Sequence, residues 1–334
     1  MRTYFFLTLL IVCLSACNSL FIDEDVPNTF EGNFQVFWEE MDRHYAYFDI
    51  KGVDWQAAYD TNIQTVRGFT QTSELSTLLS ELTLAFEDGH VNLFLPNQTV
   101  AFNFREGFPE NDPGDAGGYL DGVRIPNATL FYGSITGTDL GYIRVSKFNA
   151  PFSDYEVIDE AIAALSSKTG IVVDVRNNGG GSDRNGRRIA SRFADERRVF
   201  QYVRYRNGSR HDEFTDWRGT FIQPEGITYT KPVAVLTNRG CYSATESFIL
   251  SMNVMPHVTV VGGITGGGSG NPIYRQLPNG WDFRLSSWQQ VDEHFQYSEG
   301  RGIIPEVLVN IPQEDIDRDI DTILASAIAL LQAN

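Results

Sequence analysis

The residues with the clearest chemical potential lie in a strand, turn and helix pattern at 232–250. An apolar β-type run at 233–236 leads into a polar turn at 237–240, and Ser243 follows at the start of a helical pattern. A turn of this kind lifts a hydroxyl out of a sheet, and the first free amides of the helix can hold an anion beside it. Ser243 is therefore a candidate nucleophile, although an ordinary helix-capping serine would occupy the same place.

Two further glycine-rich turns follow apolar strands, at 178–181 and 262–270. Strand ends of this kind converge on the ligand site of an open α/β sheet. Neither turn carries the spacing of a phosphate-binding loop or of a dinucleotide fingerprint at a strand–helix junction. Glycine amides beside a serine nucleophile have another use, because they can form an oxyanion hole.

Two sequence runs, taken together, resemble one peptidase family. They are D-V-R-N-N-G-G-G at 174–181 and T-N-R-G-C-Y-S-A-T-E at 237–246. The chain from about 30 to 309 is similar to the C-terminal-processing peptidases, which include tail-specific proteases, the tricorn core protease and interphotoreceptor retinoid-binding protein. The resemblance implies a ClpP/crotonase-like α/β fold whose sheet is mainly parallel, a preceding small helical domain, and serine peptidase activity with no cofactor and no metal.

The resemblance also implies roles for individual residues. In the family's N-x-x-S-A-S-A-S-E pattern the middle serine is the nucleophile, and Ser243 holds that position. The oxyanion donors would be the amide of Ala244 and an amide of Gly179 or Gly180.

The base of this site follows from a comparison of two branches of the family. Tail-specific proteases carry a lysine in a G-x-x-T-x-G-K-G run, where this chain has Gly268, and no lysine follows Lys231. The tricorn-like branch uses a histidine after the N-terminal helices and a glutamate before a G-x-x-P motif, which His90 and Glu299 match. Tricorn has a serine before its histidine that bridges to the glutamate, and this chain has Gly89, so the sequence leaves open which group orients His90; Glu299 could do so directly or through water.

Several neighbouring residues are interpreted as structural. Glu246 falls in the first helical turn after Ser243, where an acid is favoured by the helix dipole. Cys241 lies two residues from the nucleophile position and fits a small packed residue. The remaining histidines have no motif around them.

Periodicity predicts the elements that position these residues. Apolar residues recur at three- and four-residue steps in three segments before residue 90, which predicts a helical domain at 30–92. Repeated strand–turn–helix units follow, which predicts an α/β domain at 93–334 with a mainly parallel sheet. The loops at 96–127 stand where tail-specific relatives insert a PDZ domain, and they are too short to hold one.

The N-terminus has the features of an export signal. Arg2 precedes an apolar run at 4–14, and small residues then lead into Cys17. The run is short for a membrane span and typical of a signal peptide. The end of the run resembles the lipobox of bacterial lipoproteins. We therefore predict a signal peptide at 1–17, lipidation of Cys17, an acidic tether at 18–29, and a lipid-anchored protein in the cell envelope.

Composition narrows the choice of partners. The net charge of −17 argues against nucleic acid as a partner. A serine peptidase acting on peptides or unfolded proteins is the function favoured by the motifs. A catalytically inactive ligand- or peptide-binding lipoprotein on the same fold is the alternative, and an esterase is a third. The sequence does not determine cleavage specificity or oligomeric state.

Overall fold

The computed structural model describes residues 26–114 and 116–333. The predicted signal peptide at 1–17, with Cys17, and the tether up to residue 25 lie outside the described residues. Within the described part of the chain, no helix has the length and apolar character needed to cross a bilayer.

Helices dominate both ends of the chain. The α-helices are α1 (Phe30–His44), α2 (Phe48–Lys51), α3 (Trp55–Arg67), α4 (Thr72–Leu84), α5 (Ile158–Leu165), α6 (Asp183–Ala190), α7 (Ala244–Asn253), α8 (Gln313–Ile316) and α9 (Thr322–Ala333). The strands are β1 (Asn92–Leu95), β2 (Gln98–Ala101), β3 (Leu120–Arg124), β4 (Leu130–Ile135), β5 (Leu140–Val145), β6 (Gly170–Asp174), β7 (Arg198–Tyr205), β8 (Arg218–Ile222), β9 (Val233–Thr237), β10 (Val258–Gly262), β11 (Pro272–Gln276), β12 (Asp282–Ser286), β13 (Trp288–Asp292) and β14 (Val307–Leu308).

The largest sheet has seven strands in the order β14-β10-β9-β6-β5-β4-β3. The neighbours from β14 to β5 run parallel, and β4 and β3 close the sheet antiparallel. Every residue of β6 and β9 is buried, because α5, α6 and α7 cover one face of the sheet and α9 covers the other. This confirms the predicted α/β fold with a mainly parallel sheet.

The N-terminal helices pack on a second, antiparallel sheet in the order β11-β12-β1-β2. Their apolar faces share a core with Leu93 of β1 and with Phe283 and Leu285 of β12. Strands from a distant part of the chain therefore complete the layer under these helices. The ranges 30–92 and 93–334 for the two domains stay predictions.

Apolar residues recur at helical steps from 316 to 331, which predicts one closing helix, but the segment is interrupted between two helices. Asp319 takes a left-handed φ of 57°, which ends the first piece. Asp321 then accepts the amide of Leu324 at 2.9 Å and caps α9. The break places Asp321 against the sheet, where it meets a buried arginine described below.

Candidate active site

Ser243 lies between β9 and α7 with an unusual backbone. Its φ and ψ are 59° and −125°, whereas an ordinary helix-capping serine has extended dihedrals. A non-glycine residue in this region costs on the order of 1–3 kcal/mol and persists only where the surroundings enforce it. The strain distinguishes Ser243 from an ordinary cap and is typical of a nucleophile held on a sharp strand-to-helix turn.

The glycine turn after β6 presses against this serine. A Cβ on Gly180 would lie 2.6 Å from the Tyr242 carbonyl oxygen and 2.9 Å from both the Ala244 nitrogen and the Ser243 Cβ. Gly180 also has a φ of 94°, so the position requires glycine for its backbone and for its close contact. The turns at 178–181 and 237–246 therefore meet, as the sequence predicted.

His90 reaches Ser243 from the segment between α4 and β1. Its Nε2 lies 3.0 Å from Ser243 Oγ, and its side chain is buried. Burial, opposed by the negative charge of Asp88, lowers the pKa of His90 below its usual value, so the ring stays neutral into the acid range. The distance is that of a hydrogen bond between a nucleophile and its base.

A backbone carbonyl orients the imidazole. His90 Nδ1 lies 2.7 Å from the carbonyl oxygen of Ser269. A carbonyl only accepts, so Nδ1 carries the proton and Nε2 is left to accept from the Ser243 hydroxyl. The expected contact of Glu299 with His90, direct or through water, is replaced by a contact through Ser269.

Glu299 supports Ser269 rather than the ring. Its Oε2 accepts the Ser269 amide at 2.9 Å and the Ser269 hydroxyl at 3.1 Å. Its Oε1 lies 3.0 Å from Nζ of Lys51. Burial and the nearby charge of Asp88 raise the pKa of Glu299, and Lys51 opposes that rise. The Glu299 carboxylate therefore reaches the imidazole of His90 only through Ser269.

Asp88 fixes the backbone on which His90 sits. Its Oδ1 accepts the His90 amide at 2.7 Å, and its Oδ2 accepts hydroxyls from Tyr45 at 3.1 Å and Ser286 at 2.8 Å. The carboxylate is fully buried. It places a negative charge beside the imidazole, which favours the protonated form of the ring.

Tyr242 explains why neither a lysine at 268 nor a serine at 89 is present. A Cβ built on Gly268 would fall 1.8 Å from a ring carbon of Tyr242, and one on Gly89 would fall 2.6 Å from its hydroxyl. Tyr242 is buried and stacks on Phe104 with ring centroids 4.1 Å apart. Its ring occupies the space that both side chains would need.

Glu246 has the structural role that the sequence analysis assigned to it. Its carboxylate accepts the amides of Gly267 at 2.9 Å and Gly268 at 2.7 Å, and the Thr265 hydroxyl at 2.5 Å. Burial raises the pKa of Glu246 to about 7. The residue thus ties the start of α7 to the loop that presents the Ser269 carbonyl.

One predicted oxyanion donor is already engaged. The Gly180 amide donates to Asn178 Oδ1 at 3.0 Å, because the asparagine side chain closes the turn on itself. Among the described residues, the amides of Ala244, Gly179 and Gly181 have no such partner. Gly181 also lines the cavity beside Ser243, so its amide replaces that of Gly180 as a candidate donor.

Two cavities flank this arrangement. The smaller one has a volume of about 60 Å³ and is lined by Ser243, Ala244, Asp183 and Trp288, among others. The larger one has a volume of about 800 Å³ and is lined by Lys51, Glu299, Phe104 and others, but not by Ser243. Ser243 therefore faces the small cavity, and the outer side of Glu299 faces the large one.

Sequence reasoning missed three contributors to this site: Lys51, Asp88 and Ser269. Ser269 acts through a backbone carbonyl, which any residue type would supply, so its identity carries no signal. Asp88 was visible beside His90, yet its role depends on a turn geometry that the sequence does not specify. Lys51 lies far from every motif, at the end of α2.

The chain is similar to known peptidases. The profile of peptidase family S41 matches residues 139–309, just over half of the chain, and that of the tricorn protease C1 domain matches residues 27–83. A crystal structure of a protein from Parabacteroides merdae, described as a candidate peptidase, is 34% identical, with a TM-score of 0.82, and the match covers 91% of this chain and 97% of that one.

Two curated relatives come from Bacillus subtilis. The carboxy-terminal processing protease CtpA is 24% identical over 190 residues, 56% of this chain, and CtpB is 26% identical over 198 residues, 57% of this chain. In both cases the match spans 38% of the relative's own length.

Proposed function

Because the chain belongs to peptidase family S41, a family of serine peptidases, we propose that it hydrolyses peptide bonds in exported proteins or peptides, with Ser243 as nucleophile and His90 as general base. The observation that carries the proposal is the 3.0 Å contact between Ser243 Oγ and His90 Nε2 on a strained serine backbone. An ordinary capping serine would need neither the strain nor a buried histidine.

The proposed first step is attack of Ser243 Oγ on the scissile carbonyl carbon. His90 Nε2 takes the hydroxyl proton as the bond to carbon forms, and the carbonyl π electrons move to the oxygen. The Nδ1–H bond to the Ser269 carbonyl holds the ring in the required tautomer. Asp88, beside the ring, stabilises the imidazolium that results.

The tetrahedral oxygen needs hydrogen-bond donors. The Ala244 amide, at the first position of α7, is one proposed donor, and the amide of Gly179 or Gly181 is the second. Collapse expels the amine, which receives the proton from His90. Water then attacks the acyl-enzyme with His90 again as base, which releases the acid and restores Ser243.

Fluorophosphonate labelling tests the nucleophile. We expect a single labelled serine in the purified protein, and peptide mapping should place the label on Ser243. Ser243→Ala should lose the label, while Ser247→Ala, one turn further along α7, should keep it. Label on another serine would overturn the assignment, and no label at any pH would favour the binding-protein alternative.

The lipid anchor on Cys17 is proposed from the sequence alone. A wild-type protein carrying the anchor should partition with membranes and show the added mass of its acyl chains. Cys17→Ala should stay unprocessed and unacylated. Equal processing and equal membrane partitioning of Cys17→Ala and wild type would rule out the lipoprotein assignment.

A further inference from the structure

The contact chain that orients His90 continues outward to a lysine. From Ser243 it runs through His90, the Ser269 carbonyl and the Glu299 carboxylate. Nζ of Lys51 follows, 3.0 Å from Glu299 Oε1. The Lys51 side chain is only 8% exposed, so this ion pair is largely shielded from water.

Lys51 also holds the segment that carries His90. Its Nζ donates to the carbonyl oxygen of Glu87 at 2.9 Å. Glu87 lies three residues before His90 and has a left-handed φ of 48°. The ammonium thus connects both supports of the imidazole, the loop with Ser269 and the segment 87–90.

The charge balance around Glu299 depends on this one cation. In the part of the chain that the structure describes, Lys51 is the one basic side chain within ion-pair distance of Glu299. Groups of several elements face the carboxylate or its cavity, and most of them are acidic or hydroxyl-bearing: Tyr45, Tyr47, Glu87, Asp88, Glu106, Arg239, Tyr242, Tyr297 and Arg301. Without Lys51, Glu299 would be a buried carboxylate facing Asp88 with no counter-charge within ion-pair distance among the described residues.

On the basis of the proposed function, we propose that Lys51 is a positioning residue for His90, acting through Glu299 and Ser269. The ammonium of Lys51 anchors Oε1 and opposes the rise in the pKa of Glu299, and this leaves Oε2 placed to accept both hydrogen bonds from Ser269. The fixed Ser269 carbonyl then holds Nδ1–H and leaves Nε2 free for Ser243. Lys51 contacts Glu299 and Glu87 rather than Ser243 or His90, and it does not replace the lysine base of tail-specific proteases.

The rate of Ser243 labelling as a function of pH measures this role. Lys51→Met should lower the rate at neutral pH about 10–100-fold, the scale found when a residue that orients a metal-bound histidine is lost. Loss of the positive charge raises the pKa of Glu299 further, so the acid limb of the profile should move to higher pH. Lys51→Arg should retain most of the rate and the position of that limb.

Lys168→Met is the matched control. Lys168 pairs with Asp139 at 3.6 Å at the opposite end of β6, so its removal deletes a lysine–carboxylate pair far from Ser243. We expect wild-type labelling in this variant. A Lys51→Met protein with the wild-type rate and acid limb would overturn the proposal.

Two further measurements keep the test decisive. In a Glu299→Gln background, Lys51→Met should cost little more, because both act along one path. An undiminished cost there would overturn the proposal. The large cavity has room for a small amine, so ethylammonium should partly restore labelling of Ser243 in the Lys51→Ala variant. Thermal melts serve as the control that each variant is folded.

The inference can fail separately from the peptidase assignment. If the wild type is never labelled, the proposed function falls. An NMR titration of the His90 imidazole then measures how Lys51 affects that ring, and it does not require the protein to be catalytically active. A shift of that titration in Lys51→Met but not in Lys168→Met supports the positioning role, and identical titrations overturn it.

Discussion

Two groups of buried carboxylates support the loops around Ser243, and they differ in how their charge is balanced. In the arginine-paired group, Asp174 and Asp321 both bind Arg176, at 2.6 and 2.7 Å. Arg144 adds a second contact to Asp174 at 2.8 Å. Burial raises the pKa of Asp174, but the two arginines outweigh it and hold that pKa below its usual value.

The catalytic-side group consists of Asp88, Glu246 and Glu299. Among residues 26–114 and 116–333, Lys51 is the one cation within ion-pair distance of these three carboxylates. Burial therefore prevails, and the pKa values of Glu246 and Glu299 are raised. The comparison teaches that Asp174, paired with two arginines, keeps its charge at any ordinary pH, whereas the sparsely paired Glu246 and Glu299 respond to pH near neutrality.

The largest effect is expected at the imidazole that the catalytic-side group supports. His90→Ala should lower kcat by about 10²–10⁴-fold, the usual contribution of a positioned general base. Because the pKa of His90 is lowered, the acid limb of the wild-type pH–rate profile should lie below pH 6.5. Steady-state kinetics on a cleaved peptide, with thermal melts as the control, measure this. Wild-type kcat in His90→Ala would show that another group is the base.

Breaking the arginine-paired group should affect folding instead. Arg176→Met leaves Asp174 and Asp321 without their shared cation in a site where Arg176 is 1% exposed. We expect a loss of about 3–5 kcal/mol in the free energy of unfolding, the scale for an uncompensated buried charge. Denaturant titration measures it, with exposed Arg124→Met as the control. A loss no larger than that of Arg124→Met would contradict this prediction.

The two groups should also have opposite pH dependence. Glu299 has a raised pKa, so its contribution to stability is fully present below its unfolded pKa near 4.5 and is lost as pH rises through the folded value. Asp174 has a lowered pKa, so its contribution is present above 3.8 and is lost as pH falls through the folded value.

The pH dependence due to each carboxyl group is isolated by subtracting the unfolding free energy of a variant from that of the wild type. The difference in unfolding free energy between wild type and Glu299→Gln should fall with rising pH above 4.5, by about 1.4 kcal/mol for each unit by which the pKa is raised. The difference between wild type and Asp174→Asn should fall as pH drops below 3.8. Two slopes of the same sign would abolish the distinction between the groups.

The smallest effect should come from the hydroxyl of Ser269. Ser269→Ala keeps the amide bond to Glu299 and the carbonyl contact to His90, but loses the hydroxyl contacts to Glu299 and to Tyr47. We expect about 0.5–1.5 kcal/mol less stability and less than a tenfold change in kcat. A much larger loss of kcat at unchanged stability would give the hydroxyl a direct role.

Features of this protein that depend on a local sequence motif could be predicted, whereas features set by contacts between distant segments could not. The central strands were predictable because β6 and β9 are continuous apolar runs, and Ser243, Gly180 and His90 were found from local motifs. The hydrogen-bond partner of His90 Nδ1 could not be predicted, because it is a backbone carbonyl whose position depends on the path of the loop at 262–270. The break before α9 was also missed, because Asp319 and Asp321 interrupt a pattern whose apolar spacing continues across them.

The ring of Tyr242 has a consequence for how this site could change over evolution. Gly89, Gly266 and Gly268 each leave space that the ring fills, with built Cβ positions 2.6, 2.4 and 1.8 Å from its atoms. A lysine base at 268 and a tyrosine at 242 are thus mutually exclusive. One substitution could not replace a histidine base with a lysine base, because a lysine at 268 fits only after a smaller residue has replaced Tyr242. That intermediate, with neither ring nor lysine, would leave His90 beside an empty space, because the ring centroid of Tyr242 lies 4.8 Å from that of His90.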